Sequence, residues 1–161
     1  MNSSQVTNVV IAGLGGQGVL KASDILADVA FAAGFDVKKS EVHGMSQRGG
    51  SVASDVRFGE HVYSPMVPEG EADYLVVVSS DQVPVNQHVL RSGGTLLEPA
   101  QFDLEKLRNR KSVNVVLLGA LSRHLPFSEE VWADAIRRNL PEGLVEVNLD
   151  AFKLGKTPND R

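Results

Sequence analysis

A glycine-rich hexapeptide near the start of the chain has the residue types and spacing of an anion-binding turn. Residues 13–18 (GLGGQG) match the pattern G-x-G-x-x-G and lie between an apolar run at 8–12 and an amphipathic segment. Glycines at such a turn allow positive φ angles and close backbone approach, so N–H groups at a helix start can face a phosphate. We predict that a ligand or a partner approaches this turn. The alternative is a tight strand-to-helix turn that binds nothing.

A second polar loop, residues 43–50 (HGMSQRGG), also has the composition of a binding site. It contains an imidazole, a guanidinium and three glycines within eight residues, which is unusual for a simple connection. Arg48, followed by Gly49 and Gly50, can present its planar fork of donors to a carboxylate or a phosphate. A structural and a functional role are equally open for His43, because the sequence shows no base or nucleophile partner. We predict that something docks at this loop.

A stand-alone nucleotide-binding protein is an alternative function. Dinucleotide sites have an acidic residue about 20 positions after the glycines, at the end of the second strand. Asp36 comes too early for this role, and Glu41, the candidate near the strand end, belongs to what looks like another motif. The tripeptide 155–157 (GKT) matches only the end of a P-loop, and Pro158 follows where a helix is required, so this match is due to chance.

Composition argues against several classes of function. The 161 residues include 16 Lys and Arg and 20 Asp and Glu, scattered along the chain, which argues against nucleic acid as a partner. The sequence has no Cys and therefore no thiolate for an iron–sulfur cluster or a covalent intermediate. The four histidines lack the spacing of a ligand set, so we predict no metal site. Without a basic leader or ~18 consecutive apolar residues, we expect a cytoplasmic protein that does not contact a membrane.

Hydrophobic patterning predicts an α/β fold. Apolar runs at 8–12 and 74–78 are typical of buried parallel strands, and 17–34 has the spacing of a helix. With an extended piece at 36–42, this helix completes a βαβ unit. A strand over 52–58 is expected to turn at residues 59 and 60 into a hairpin whose second arm is 61–64.

The remaining segments complete the prediction. We expect short strands at 95–98 and 144–149, helices at 83–90 and 129–140, and either a strand or a helix at 113–121. The predicted class is a Rossmann-like three-layer sandwich with a mostly parallel sheet and an antiparallel hairpin. A single domain spans residues 1–161, with a core over about 8–155 and a polar tail over 156–161; fraying is expected from Lys153 onward.

Five motifs occur in an order that resembles the gamma-type subunit of 2-oxoacid:ferredoxin oxidoreductases. They are 13–20 (GLGGQGVL), 43–52 (HGMSQRGGSV), 56–59 (VRFG), 63–65 (YSP) and 68–73 (PEGEAD). The similarity extends over about residues 8–155, and the second motif is most similar to the indolepyruvate branch of the family. Residues 79–81 (SSD) follow a strand within which relatives often carry Glu, so the resemblance supports an unspecified 2-oxoacid, with aryl pyruvates favoured.

The resemblance implies an enzyme that oxidatively decarboxylates a 2-oxoacid to an acyl-CoA and reduces ferredoxin. Thiamine diphosphate, Mg²⁺ and iron–sulfur clusters do this chemistry, and the resemblance places them on a partner subunit, so this chain alone is inactive. It also implies that both glycine loops approach the active site and the coenzyme A region. The residues implied to line the active site are His43, Ser46, Gln47 and Arg48. Those implied to bind a cofactor are Gly13, Gly15, Gly16, Gln17, Gly18, Arg48, Gly49 and Gly50. A docking module without an active-site role is a further alternative.

Overall fold

A mixed five-stranded sheet forms the centre of the molecule. The computed structural model describes residues 5–44 and 49–157, which excludes the predicted site residues Ser46, Gln47 and Arg48. The strands are β1 (Thr7–Leu14), β2 (Asp36–His43), β3 (Ser51–Gly59), β4 (Ala72–Val77) and β5 (Leu90–Leu97). Their order across the sheet is β2-β3-β1-β4-β5.

Four of the five strands run in one direction. β4 is parallel to β1 and to β5, whereas β3 is antiparallel to both β1 and β2. β2 therefore runs parallel to β1 but is separated from it by β3, so the predicted βαβ unit holds in direction and not in adjacency. The prediction of a mostly parallel sheet is borne out in part, because two of the four strand pairings are antiparallel.

The described residues contain five α-helices. These are α1 (Val19–Ala32), α2 (Val83–Asn86), α3 (Val113–Ser122), α4 (Glu129–Asn139) and α5 (Glu142–Lys156). The start of α4 follows the expected capping chemistry, since the Ser128 hydroxyl accepts a hydrogen bond from the Val131 N–H at 3.3 Å. Short 3-10 turns connect β5 to α3 over residues 99–112.

Two predicted strands are wrong. The segment 61–64 is not a strand, because β1 and β2 occupy both edges of β3 and leave no edge for a hairpin partner. The hairpin that exists joins β2 to β3. The segment 144–149 lies inside α5, whose buried positions Asn148, Ala151, Phe152 and Gly155 follow helical spacing. The same helix continues to Lys156, so the prediction of fraying from Lys153 is wrong. The segment 113–121, for which both a strand and a helix were expected as possibilities, is helical.

The two faces of the sheet are covered unequally. The buried side chains of α1, α3, α4 and α5 join one apolar cluster with Val9, Ile11, Val56, Phe58 and Val76 of the sheet; we call this the helical face. The opposite side, the thin face, has a small cluster of Val10, Ala12, Ala72, Leu75 and Val77. Outside the sheet, the described residues that pack on it are Val67 of the segment 60–71 and the short stretch around α2. The α/β, Rossmann-like class is confirmed, with one substantial helical layer and one thin one.

Candidate functional site

The site lies at the carboxyl ends of the parallel strands, where α/β sheets commonly bind ligands. β1 ends at Leu14 and α1 begins at Val19, so the glycine turn connects a buried strand to a helix as predicted. Gly16 has φ 87° and Gly18 has φ 80°. These left-handed conformations are readily adopted by glycine and strained for other residues, which explains both positions.

The glycines of this turn differ in what surrounds them. A Cβ on Gly13 would lie 2.9 Å from the Gln17 side-chain oxygen, and one on Gly18 would overlap the Asn114 amide. Gly15 is packed against the second loop, with 3.3 Å from its notional Cβ to the Gly49 nitrogen. Gly16 has no atom within 4 Å in that direction. Packing therefore explains three of these glycines, whereas Gly16 faces open space.

Several backbone amides of the turn are already bonded within the protein. The Gly15 N–H donates to the Gly50 carbonyl at 2.8 Å, and the Gln17 N–H donates to the Leu14 carbonyl at 3.2 Å. The Gln17 side chain turns back and accepts from the Leu14 N–H at 2.7 Å. Among the described residues, the N–H groups of Gly16 and Gly18 have no hydrogen-bond partner. Any anion bound by backbone amides would therefore meet these two and the first turn of α1.

The Gly15–Gly50 hydrogen bond brings the two predicted loops together. β2 delivers His43, and β3 begins at Ser51, whose carbonyl accepts from the Gly44 N–H at 2.6 Å. Gly49, with φ 66°, needs the conformational freedom of glycine. The sequence predicts each of the two glycine loops as a binding site, but it could not reveal the contact between them. Ser46, Gln47 and Arg48, together with Met45, lie outside the described residues.

A depression of about 320 Å³ opens between these loops and the start of α1. Gly15, Gly16, Gly18, Lys21 and His43 are among the residues that line it. No side chain caps α1, and its first turn has no acidic residue, so its unpaired N–H groups and dipole favour an anion. Lys21 adds a cation within that turn. The geometry and charge of this depression fit a phosphate or a carboxylate.

Two residues that shape the site are not among those predicted from the sequence. Lys21 could have been found, since it lies three residues after the glycine turn, in a first helical turn that has no acidic residue. Asn114 of α3 is buried and donates from Nδ2 to the Gly18 carbonyl at 3.0 Å. It lies 96 residues further along the chain, so no local pattern could have placed it there.

The other motifs hold the thin face together. Arg57 donates to the Asn8 side-chain oxygen and to the Ser64 carbonyl, both at 2.8 Å. Asp73 accepts from the Asn8 N–H and from Arg91 Nε, again at 2.8 Å. Of these bonds, the one from Arg57 to Ser64 attaches the segment 60–71 to the sheet. Residues of motifs 56–59, 63–65 and 68–73 therefore contribute to structure, whereas 13–18 and the described residues 43, 44, 49 and 50 form the candidate site.

Two carboxylates accept hydrogen bonds from the backbone of the segment 60–71, and their pKa values are shifted in opposite directions. The Val62 N–H donates to Asp36 at 2.8 Å, and this hydrogen bond lowers the pKa of Asp36. The Val67 N–H donates to Asp55 at 2.9 Å, but burial dominates there and raises the pKa of Asp55. Acid therefore affects the two attachments differently.

Over residues 5–44 and 49–157, no three His, Cys, Asp or Glu side chains are grouped so that they could hold a metal ion. Within the same ranges, no helix has the length and apolar character needed to cross a bilayer.

The fold and the joined glycine loops define a Rossmann-like α/β domain with a candidate anion site at its strand ends. A family model described as pyruvate ferredoxin/flavodoxin oxidoreductase matches residues 8–104 and 99–157. The indolepyruvate oxidoreductase subunit IorB of Thermococcus kodakarensis is 40% identical over 190 aligned positions, which cover 92% of this chain and 93% of the relative. IorB of Pyrococcus horikoshii is 38% identical with the same coverage. The chain belongs to the pyruvate ferredoxin/flavodoxin oxidoreductase family.

Solved structures support the fold. The gamma subunit of a keto/oxoacid ferredoxin oxidoreductase from Geobacter sulfurreducens superposes with a TM-score of 0.77 at 24% identity, covering 92% of this chain and 95% of that one. A 2-oxoglutarate:ferredoxin oxidoreductase from Magnetococcus marinus gives 0.82 at 20% identity, over 95% of this chain and 31% of that longer chain. The family predicted from the motifs is confirmed, and it is favoured over a stand-alone nucleotide-binding protein.

Proposed function

We propose that this chain is a subunit of an indolepyruvate-type 2-oxoacid:ferredoxin oxidoreductase that holds neither thiamine nor clusters. The supporting observation is its 40% identity to a protein named as an indolepyruvate oxidoreductase subunit, over nearly the full length of both chains. Relatives named as ketoisovalerate and 2-oxoglutarate enzymes are less similar, at 29% and 26% identity. The substrate class is therefore an aryl 2-oxoacid, and the product an acyl-CoA.

The partner subunit supplies the electron-transfer chemistry. This sequence has no Cys to ligate an iron–sulfur cluster, and among its described residues no three His, Cys, Asp or Glu side chains are grouped so that they could hold a metal ion. When bound to the partner, thiamine diphosphate supplies the electron sink for decarboxylation, and the clusters carry electrons to ferredoxin. This chain contributes a shaped, anion-compatible surface beside that centre.

The site of this chain holds an anionic part of a substrate. In this proposal, the N–H groups of Gly16 and Gly18, unpaired among the described residues, and the first turn of α1 donate to it, while Lys21 and His43 flank it. Arg48 of the second loop adds a fork of donors, and Gly49 and Gly50 let the backbone come close. Gly13, Gly15 and Gln17 maintain the turn. The anion is either a coenzyme A phosphate or the substrate carboxylate.

Reconstitution tests the subunit assignment. The purified chain should not reduce ferredoxin or a dye with indolepyruvate, and addition of the thiamine-bearing partner should restore reduction. A pull-down from the native host should recover a thiamine and iron–sulfur protein. Full activity of the partner without this chain would contradict the proposal, as would micromolar affinity of the chain for NAD(H) by calorimetry.

Substitutions in the assembled complex test the site. Lys21→Gln should raise KM for coenzyme A about two- to fivefold, the effect of one exposed charge contact, if the anion is a phosphate. The same rise in KM for the 2-oxoacid would identify a carboxylate instead. Lys153→Gln, a change on an exposed residue of α5, is the matched control. If the KM for coenzyme A and the KM for the 2-oxoacid are each the same in Lys21→Gln as in Lys153→Gln, the proposal of an anion site here is contradicted.

Arg48→Ala separates the site from a docking role. If Arg48 contributes to the site, the Arg48→Ala variant should lower 2-oxoacid oxidation by the complex, while the complex still assembles as judged by size-exclusion chromatography. Loss of assembly alone would favour a loop that only docks.

A further inference from the structure

β5 is an edge strand whose outer side no other described strand covers. In a parallel ladder, one residue of a neighbouring strand donates to the carbonyl before its pairing partner and accepts from the N–H after it. An edge strand leaves these groups open, and open edges can pair with other chains.

The side-chain amide of Gln101 makes this pair of contacts on β5. Its Nε2 donates to the Leu96 carbonyl at 3.1 Å, and its Oε1 accepts from the Glu98 N–H at 3.2 Å. The two backbone groups flank Leu97, so the amide occupies the place of a peptide group on a sixth strand. A capping box of the 3-10 turn 99–101 explains the bond to the Glu98 N–H, but it does not require the bond to Leu96.

The same point in the chain is where the relatives are longer. About 148 residues of this chain, which is 92% of 161, are spread over 190 aligned positions in the comparison with Thermococcus kodakarensis IorB. The relative therefore has about 42 residues without a counterpart within the aligned region. The two matches to the family model meet at residues 99–104, which places the missing stretch beside Gln101.

We propose that this chain lacks a segment that follows β5 in its relatives and that the Gln101 amide closes the sheet edge in its place. The short path from β5 to α3 agrees with this, since Phe102 and Leu107 pack directly against the cluster of the helical face. The outer edge of β5 is therefore not a surface on which a partner subunit, or a second copy, adds a strand. This inference does not depend on the proposed substrate.

Hydrogen exchange at the Glu98 amide tests the closure. It is measured on the full chain, free and in the complex captured from its host. The wild type should show equal protection in both states, and Gln101→Leu should raise the exchange rate about tenfold in both, as for the loss of one local hydrogen bond. Sedimentation of the free Gln101→Leu chain should show new self-association. Gln87→Leu, on an exposed glutamine with no side-chain hydrogen bond among the described residues, should change neither.

Gln101→Ala adds no apolar surface and should give the same rise in exchange if Gln101→Leu aggregates, with Gln87→Ala as its control. Protection of Glu98 that appears only in the complex, or that survives Gln101→Leu there, would overturn the proposal and show that a partner strand covers β5. Unchanged exchange in both states would show that the Gln101 contacts do not form in solution.

Discussion

The helical face and the thin face of the sheet are stabilised by different kinds of interaction. On the helical face, buried and partly buried aromatic rings pack together, with Phe58 and Phe127 centroids 5.5 Å apart and Trp132 and Phe152 centroids 5.4 Å apart. On the thin face, two carboxylates, Asp36 and Asp55, and one arginine, Arg57, attach the segment 60–71 by hydrogen bonds to its backbone. Apolar packing is nearly independent of pH, whereas these attachments titrate.

This difference bears on the position of the candidate site. The glycine turn continues from β1 into α1, which packs on the helical face, whereas the second loop connects β2 to β3 at the end of the sheet. A rigid helical face therefore fixes the orientation of the α1 amides. The thin face, with less apolar burial, is the part expected to open first in acid or denaturant.

Gly155→Ala should have the largest effect, because it acts on the packing of α3 against α5. A Cβ at Gly155 would overlap the Val116 carbonyl oxygen, which is backbone and cannot move aside. We expect a loss of at least about 3 kcal/mol in the free energy of unfolding, measured by urea denaturation. Gly143→Ala in the same helix has no atom within 4 Å of its new Cβ and should be neutral or slightly stabilising. Similar losses in both variants would contradict this account.

Asp73→Ala should have the next largest effect, on the thin face. The side chain is 19% exposed and accepts from the Asn8 N–H and from Arg91. Loss of two charge-assisted hydrogen bonds should lower the free energy of unfolding by about 2 kcal/mol. Glu71→Ala removes a nearby carboxylate that has no side-chain hydrogen bond among the described residues, and it is the control. An equal loss in the control would indicate a general charge effect instead.

Local patterns predicted the elements whose information lies within a few residues. The apolar run at 8–12 and the spacing of 17–34 identified β1 and α1, and Ser128 with its acidic and basic turns placed α4. The insertion of β3 between β1 and β2 depends on pairings between distant residues, such as Val9 with Val56, which no local pattern encodes. The segment 144–149 looked like a strand because its short window hides the helical spacing of the whole of α5.

The candidate site was predictable to a similar degree. The sequence identified both loops from their glycines and charges, but their contact through Gly15 and Gly50 required the fold. The sequence also could not separate Gly16 from its neighbours. The structure does, since Gly13, Gly15 and Gly18 have close packing partners and Gly16 has none.

Arg138→Lys should have a smaller effect, on the outer layer of the helical face. Arg138 of α4 donates from Nε and Nη2 to the two oxygens of Asp28 in α1, at 3.0 and 2.9 Å, which raises the pKa of Arg138. Lysine cannot reproduce this two-point contact, so we expect a loss of about 0.5–1 kcal/mol in urea denaturation. Arg137→Lys affects only a surface pair with Asp134 and should change stability less. The reverse order would show that the contact between α1 and α4 does not depend on this geometry.

Asp55→Asn should have the smallest effect, and its sign separates the two attachments of the thin face. The pKa of Asp55 is raised in the folded state, so the folded protein binds this proton more tightly and loses stability as pH rises above 3.8. The Asn variant still accepts from the Val67 N–H, and it should be slightly more stable than the wild type at pH 7, with the advantage fading towards pH 3.

Asp36 has a lowered pKa, so its contribution to stability is present above pH 3.8 and is lost as the pH falls through the pKa of the folded state. Asp36→Asn should therefore be less stable than the wild type at neutral pH, with that deficit also fading in acid. Unfolding curves for the three proteins across this pH range measure both differences, and equal signs at pH 7 would contradict the assignment.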